Sequence, residues 1–217
     1  MKTSMLFLLF LIMIISTGYS KSKENRNAYY ITNRAPLVAQ PYTALPLGAI
    51  KPKGFLLKML ELQRDGLTGH LDSIYRLVCG DNNGWLGGTG DGWERGPYWI
   101  NGLVPLAYQL NDAKLKAKAQ KWIEWSINNQ RKDGYFGPQP LPAGYKVIEG
   151  TQQDMREDWW PKMVMLKALQ QYYTATKDER VISLMLRYFK YQQEMLPKIP
   201  LSHYTYWAEQ RGGSGRS

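Results

Sequence analysis

The sequence is poor in the residues that bind metals or form disulfides. Among its 217 residues it has one cysteine, Cys79, and two histidines, His70 and His203. A single cysteine excludes an internal disulfide, so the packed core must supply the stability. So few cysteines and histidines cannot form a cluster with metal-ligand spacing. We therefore expect no cofactor and no complete metal site within this chain.

The sequence also lacks long hydrophobic runs, with one exception near its start. Residues 5–15 are continuously apolar and follow Lys2. This run is shorter than the roughly 20 residues that cross a bilayer, so we expect no membrane span. Gly18 and Ser20 place small residues where a signal peptidase cuts. We therefore predict that residues 1–20 are a signal peptide cleaved near Ser20, and that the protein is exported to the periplasm or the extracellular space.

Motifs for nucleotide phosphates are absent as well. The sequence has neither GxxxxGK[ST] nor a GxGxxG between a strand and a helix, so nothing indicates nucleotide binding. The formal net charge is nonetheless +10, and part of the excess lies in one expected helix, at Lys114, Lys116, Lys118 and Lys121. Such a charge could attract nucleic acid, anionic lipid or acidic polysaccharide. Export argues against nucleic acid as a partner, and a solvated basic face is the simpler interpretation.

The most unusual stretch that is present is residues 84–99, with six glycines and three tryptophans in sixteen positions. Glycine at this density indicates positive φ values or a close approach of the backbone to another group. Trp85, Trp93 and Trp99 offer apolar faces, and the charged residues beside them offer hydrogen bonds, a mixture that suits a sugar. We interpret the stretch as a binding surface. The alternative is a turn whose tryptophans fill a core.

The remaining pattern is helical and repeats. One long, interrupted helix is expected from Pro52 to Tyr75, and apolar residues at helical spacing then predict two hairpins with short links. The hairpins superimpose at an offset of 66, so that Asp112 matches Asp178 and Trp93 matches Trp159. Helical stripes are expected in both, and in the last helix the stripe is Val181, Leu184, Met185, Tyr188 and Phe189. This is an internal repeat of helical hairpins.

The division of the chain follows from these patterns. Residues 21–50, punctuated by prolines, form an extended leader, and residues 51–217 form the helical domain. Short and long links alternate, so the long links should share one rim, where function is expected. The rim holds most of the aromatic and charged candidates, from which we predict these substrate-binding residues: Trp93, Glu94, Asp158, Trp159, Trp160, Trp207 and Arg211.

Four strings in the sequence resemble signature segments of a known family. They are ERGPYWINGLVPLAYQLND, WIEWSINNQRKDGYFGP, DWWPKMVMLKALQQYY and HYTYWAEQRGG. They are similar to segments of glycoside hydrolase family 127, the former domain of unknown function 1680, whose founding activity is β-L-arabinofuranosidase. The resemblance covers roughly residues 46–213. It implies an all-α fold, part of an (α/α)6 toroid of the six-hairpin glycosidase type, with a sugar bound at one mouth.

The resemblance also implies a mechanism that this chain matches only in part. The resemblance implies that characterised members use a cysteine nucleophile and a nearby zinc held by cysteines and a glutamate. All of these residues come from a later part of the toroid. Cys79 does not lie in a matching motif, so the nucleophile is not assigned to it and the catalytic residues stay unassigned. Relatives continue past RGG, and five or so helices cannot close a six-hairpin ring, so we expect a truncated gene product.

Three functions stay open from the sequence. The first is the N-terminal part of an exported glycoside hydrolase that acts on plant-type glycans, with arabinose-containing glycans among the candidates. The second is a non-catalytic carbohydrate-binding remnant that uses the same aromatic rim. The third is a protein that binds acidic surfaces through its positive charge.

Overall fold

The computed structural model describes residues 33, 35–153 and 155–211, and within them every regular element is helical. The predicted signal peptide lies outside the described residues. A short 3-10 turn, Gly84–Leu86, separates the first helices from the hairpins. The α-helices are α1 (Gly54–Asp65), α2 (Leu67–Ile74), α3 (Arg76–Cys79), α4 (Arg95–Leu110), α5 (Ala113–Asn128), α6 (Trp159–Thr176), α7 (Glu179–Met195) and α8 (Tyr206–Arg211).

The interrupted first helix is present as the three segments α1, α2 and α3. Gly66 separates α1 from α2, and Gly69 lies in the first turn of α2. A Cβ atom on Gly69 would lie 1.7 Å from the carbonyl oxygen of Arg64, so only glycine allows the chain to turn so closely there. The sharp turn lays α2 against α4, where Trp99 Nε1 donates a hydrogen bond of 2.8 Å to the carbonyl oxygen of Thr68.

The two hairpins, α4–α5 and α6–α7, have equivalent links at the predicted offset of 66. Asn111 and Lys177 each end a helix in the left-handed conformation, with φ of 54° and 58°. Asp112 and Asp178 follow them and cap the returning helices, accepting hydrogen bonds from Lys114 N and Arg180 N respectively. The same two-residue link, a left-handed residue followed by a capping aspartate, therefore joins the helices of both hairpins. This confirms the repeat.

The core lies between the helices of these hairpins. α4 packs against both α5 and α6, and its buried side chains include Ile100, Leu103 and Val104. In α7 the buried stripe is Val181, Leu184, Tyr188 and Tyr191. The prediction that Phe189 belongs to this stripe is wrong, because Phe189 is 47% exposed. It follows Tyr188 by about 100° around the helix and so points away from the core.

Hydrogen bonds join the three long links near the starts of α4, α6 and α8. The side chain of Trp93 donates to Asp158, Thr205 also donates to Asp158, and Trp159 donates to the carbonyl oxygen of Ile199. These links therefore share one rim of the array, as the alternation of short and long links predicts.

The leader and the first helix complete the described chain. Residues 35–53 form turns and extended segments, and Leu47 N donates a 3.3 Å hydrogen bond to Thr174 Oγ1 of α6. In the described part of the chain, none of the helices combines the length and the apolar character needed to cross a bilayer.

Candidate functional site

The site begins where the first turns of α4 and α6 meet. Glu94 is half-buried at the N-terminal end of α4, and Trp160 lies in the first turn of α6. Trp160 Nε1 donates a hydrogen bond to Glu94 Oε2. Tyr98, one turn into α4, places its ring 6.3 Å from that of Trp160. The offset of 66 residues therefore brings corresponding positions of the two repeats into direct contact.

Arg211 of α8 extends this cluster. Its guanidinium carbon lies 5.4 Å from the ring centre of Trp160 and 4.9 Å from that of Trp207, within the range of a cation–π interaction. We call Glu94, Tyr98, Trp160, Trp207 and Arg211 the rim cluster. Four of them, all except Trp160, keep part of their surface in contact with solvent.

The electrostatics of the rim cluster favour hydrogen bonding over ionisation at Tyr98. Burial, followed by the nearby charge of Glu94, raises the pKa of Tyr98, while a hydrogen bond with Arg211 opposes this rise. The phenol therefore stays protonated at neutral pH and can donate a hydrogen bond. A carboxylate acceptor, a phenol and a guanidinium around indole rings can bind a sugar by both its hydroxyl groups and its apolar face.

Asp158 lies beneath the rim cluster, fully buried. Its Oδ2 accepts hydrogen bonds from Trp93 Nε1 at 2.8 Å and from Thr205 Oγ1 at 2.9 Å. Its Oδ1 accepts the backbone N–H of Trp160 at 3.3 Å, so the residue caps α6 as the sequence predicts. This geometry explains Asp158 as the junction of three rim segments, and its contact with a sugar stays a prediction.

Trp93 and Trp159, the equivalent tryptophans of the two repeats, form the floor behind the rim cluster. Both rings are buried. Trp93 donates to Asp158, and Trp159 Nε1 donates to the carbonyl oxygen of Ile199 at 3.1 Å. They fix the rim segments to the core, and their direct contact with a sugar also stays a prediction.

The interpretation of residues 84–99 as an open binding surface needs correction. Trp85, Trp93 and Trp99 are buried, and Trp85 Nε1 donates to the carbonyl oxygen of Trp93 at 2.9 Å. Asp91 is also buried, where it pairs with Arg95 and accepts the backbone N–H of Gln152. The alternative, in which the tryptophans fill a core, describes this stretch. In the rim cluster the solvent-accessible aromatic surface belongs to Tyr98, which is exposed, and to Trp207, which is half-buried.

Sequence reasoning missed Arg156, whose side chain is only 4% exposed. Its guanidinium donates hydrogen bonds to the carbonyl oxygens of Gly88, Gly90 and Gln139. Burial lowers the pKa of Arg156. A charged residue just ahead of a helix resembles a surface residue in sequence. The density of glycines in residues 84–92 was the available signal, because glycines leave room for a bulky neighbour.

Lys162, in the first turn of α6, was also missed and is 1% exposed. Its Nζ donates to the carbonyl oxygen of Arg156 and lies 4.9 Å from the ring centre of Tyr135. Burial lowers the pKa of Lys162 to about 7, while the charges of Asp158 and Glu157 oppose that shift. Nothing in the local sequence distinguishes this buried lysine from a solvent-exposed lysine on the same helix.

Cys79 is buried at the end of α3, and burial raises the pKa of its thiol to about 12. At neutral pH the group is a thiol, which is a poor nucleophile. Over residues 33, 35–153 and 155–211, no three histidine, cysteine, aspartate or glutamate side chains come together in a metal-binding group. Within the described residues there is thus no such group to hold the zinc that the resemblance implies.

The repeated helical-hairpin array is the architecture of a helical domain of the toroid type. The family model described as "Beta-L-arabinofuranosidase, GH127 catalytic domain" matches residues 58–213, which is most of the chain. The chain belongs to glycoside hydrolase family 127. Comparison with curated proteins and with solved structures found no match.

Proposed function

We propose that this chain carries the sugar-binding rim of an exported glycoside hydrolase that acts on plant-type glycans, arabinose-containing ones among them. Membership of family 127 supports the reaction class. We place the sugar site at the rim cluster because Trp160 donates a hydrogen bond to Glu94 and the guanidinium of Arg211 lies over the same indole ring. These three residues come from three different rim segments and meet at one place.

The geometry gives each member of the rim cluster a role in binding. The bond from Trp160 orients the carboxylate of Glu94, whose other oxygen accepts from a sugar hydroxyl. Tyr98 and Arg211 donate to sugar oxygens. Trp207, whose ring is tilted 30° to that of Tyr206 with ring centres 4.4 Å apart, contributes the apolar surface that it keeps exposed to the ring of the sugar.

The second candidate, a non-catalytic carbohydrate-binding protein, is favoured by the state of Asp158. Hydrolysis by two protein groups needs a pair at a separation of roughly 5 to 10 Å. Asp158 is the carboxylate next to the rim cluster, but it is not available as the partner of Glu94. Both its oxygens accept hydrogen bonds from the protein, and its side chain is fully buried. The rim cluster therefore offers one accessible carboxylate, Glu94, which suffices for binding.

A change at Glu94 that keeps the size of the side chain but removes its charge tests the proposal. Calorimetric titration with L-arabinose should show affinity about tenfold weaker for Glu94→Gln than for the wild type, because the amide accepts hydrogen bonds less strongly than the carboxylate. Glu61→Gln, in α1, is the control for lost charge and should bind as the wild type does. Equal affinity of Glu94→Gln and wild type would remove Glu94 from the site.

Two further measurements, an activity assay and a titration at high salt, separate the candidate functions. Release of p-nitrophenol from p-nitrophenyl β-L-arabinofuranoside distinguishes a hydrolase from a binding protein. Raising the salt from about 0.1 M to about 1 M shortens the screening length from ~10 Å to ~3 Å. Sugar binding at aromatic rings should survive this change, whereas binding to acidic surfaces through the net charge should be lost.

A further inference from the structure

The side chain of Arg156 passes through the glycine-rich segment and holds it from inside. Its Nη1 donates to the carbonyl oxygens of Gly88 at 3.1 Å and Gln139 at 3.3 Å, and its Nη2 donates to that of Gly90 at 2.6 Å. A backbone bond from Gly92 N to Gln152 O joins the same two segments, and a bond from Gly90 N to Asn82 O closes the glycine-rich turn on the residue just before it. One guanidinium thus fixes successive turns of residues 84–92.

The glycines fit this side chain closely. A Cβ atom on Gly84 would lie 2.8 Å from Arg156 Nη1, and one on Gly92 would lie 2.8 Å from Arg156 Cγ. Contacts this short force one of the partners to move. Gly84 and Gly92 therefore make the channel that the arginine occupies, which gives a physical reason for these two glycines.

The backbone of Arg156 is fixed as firmly as its side chain. Its carbonyl oxygen accepts from Lys162 Nζ and from the hydroxyl of Tyr135, the latter at 3.3 Å. Burying a guanidinium is costly unless its donors are satisfied. Carbonyl groups satisfy both terminal nitrogens of Arg156, whereas its Nε has no hydrogen-bond partner among the described residues. The arginine therefore connects α6 rigidly to the glycine-rich segment.

Both ends of this connection lead directly into the rim cluster. The glycine-rich segment continues into Trp93 and Glu94, and the chain after Arg156 continues through Asp158 to Trp160. We propose that Arg156 is a positioning residue that sets Glu94 against Trp160 and so shapes the sugar site. The part that concerns sugar affinity rests on the proposed function, whereas the part that concerns Glu94 and Trp160 does not.

Two variants disturb Arg156 in different ways. Arg156→Met removes the guanidinium, and Gly92→Ala keeps it but forces it aside. Both should move the indole N–H resonances of Trp93 and Trp160 in a ¹H–¹⁵N spectrum towards the position of a solvent-exposed indole. Affinity for L-arabinose should fall about tenfold in each. Arg156→Lys, which keeps the charge and reaches one carbonyl group, should recover part of both effects.

Matched controls separate positioning from a general loss of stability. Gly102→Ala adds the same methyl group to α4, where no atom lies within 4 Å of the new Cβ. Arg180→Met removes a guanidinium that bonds Glu124 and Asp178 at the other end of the hairpins. Both controls should leave the Trp93 and Trp160 resonances and the affinity unchanged.

The outcomes are distinct. Unmoved resonances of Trp93 and Trp160 in folded Gly92→Ala protein overturn the positioning role. Moved resonances with unchanged affinity, when the wild type binds L-arabinose, overturn the part of the proposal that concerns the sugar site. If the wild type binds no L-arabinose, the proposed function fails at that sugar. Movement of the two resonances in both variants would still establish that Arg156 positions Glu94 and Trp160.

Discussion

Asp158 shows how one buried carboxylate can organise several segments. It caps α6 and accepts side-chain hydrogen bonds from Trp93 and Thr205, which belong to two other rim segments. Asparagine at this position could still cap α6 through its carbonyl oxygen. Its NH2 group would then face the indole N–H of Trp93 and the hydroxyl of Thr205, which are themselves donors to Asp158. The residue is therefore needed as an acceptor on both oxygens.

We expect Asp158→Asn to lower the free energy of unfolding by about 1 to 3 kcal/mol, because a buried donor would be left without an acceptor. The control is Asp178→Asn at the start of α7, where the carboxylate caps the helix from a partly exposed position. Asparagine caps helices nearly as well as aspartate, so its effect should be smaller. Urea unfolding measures both, and equal losses would contradict the junction role of Asp158.

Lys162 makes a pH-dependent contribution to stability. Its folded-state pKa of about 7 lies below the ordinary lysine value of about 10.4. Between these values the unfolded chain holds a proton that the folded chain has released, so raising the pH favours the folded state. The charges of Asp158 and Glu157 oppose this lowering of the pKa of Lys162, whereas the charge of Arg131 reinforces it.

The stability difference between wild type and Lys162→Met should therefore change in favour of the wild type as the pH rises from 7 to 9. Urea unfolding of both proteins at pH 6, 7, 8 and 9 gives this difference. Below pH 7 it should be flat, because the amine is charged in both states. A flat difference over the whole range would mean that Lys162 keeps its ordinary pKa.

At the scale of elements, the links between paired helices were predictable and the polar interior was not. Asp112, Asp158 and Asp178 are capping residues in local sequence patterns, and local patterns determine where a helix starts. Arg156 and Lys162 depend on neighbours that are distant in sequence, so their burial leaves no local pattern. Four members of the rim cluster were named from the sequence because they lie in or beside the long links, whereas Tyr98, one turn into α4, was missed.

The two links predict a difference between their left-handed residues. Asn111 tolerates a positive φ, whereas Lys177 at φ 58° carries a cost of roughly 1 kcal/mol that glycine would not. We expect Lys177→Gly to raise the free energy of unfolding by about that amount and Asn111→Gly to change it little. Thermal or urea unfolding of the two variants measures these changes. A loss of stability in Lys177→Gly would contradict the backbone strain assigned to Lys177.

At the scale of the whole molecule, exposed apolar residues concentrate near the start of the described chain. α1 has no buried residue, and Phe55, Leu56, Met59 and Leu62 share one exposed face. The helical spacing of these residues was predictable, but spacing cannot say what, if anything, covers the face. In this structure the core lies between α4, α5, α6 and α7, and α1 adds little to it.

Replacing Phe55 and Met59 together with glutamine should therefore leave the free energy of unfolding within about 0.5 kcal/mol of wild type, since Phe55 is 74% exposed. The same change should raise solubility by removing apolar surface. Leu103→Gln, at a fully buried position of α4, is the contrasting control and should be strongly destabilising. A large loss in the α1 variant would show that this face is packed.

The central claim is that the rim cluster binds a sugar, and the most direct measurement is a titration with L-arabinose followed through the indole N–H resonances. We predict saturable shifts for Trp160 and Trp207, with Trp122 unmoved because its ring is buried in the core. Unchanged resonances of Trp160 and Trp207, or equal shifts at Trp122, would contradict the claim.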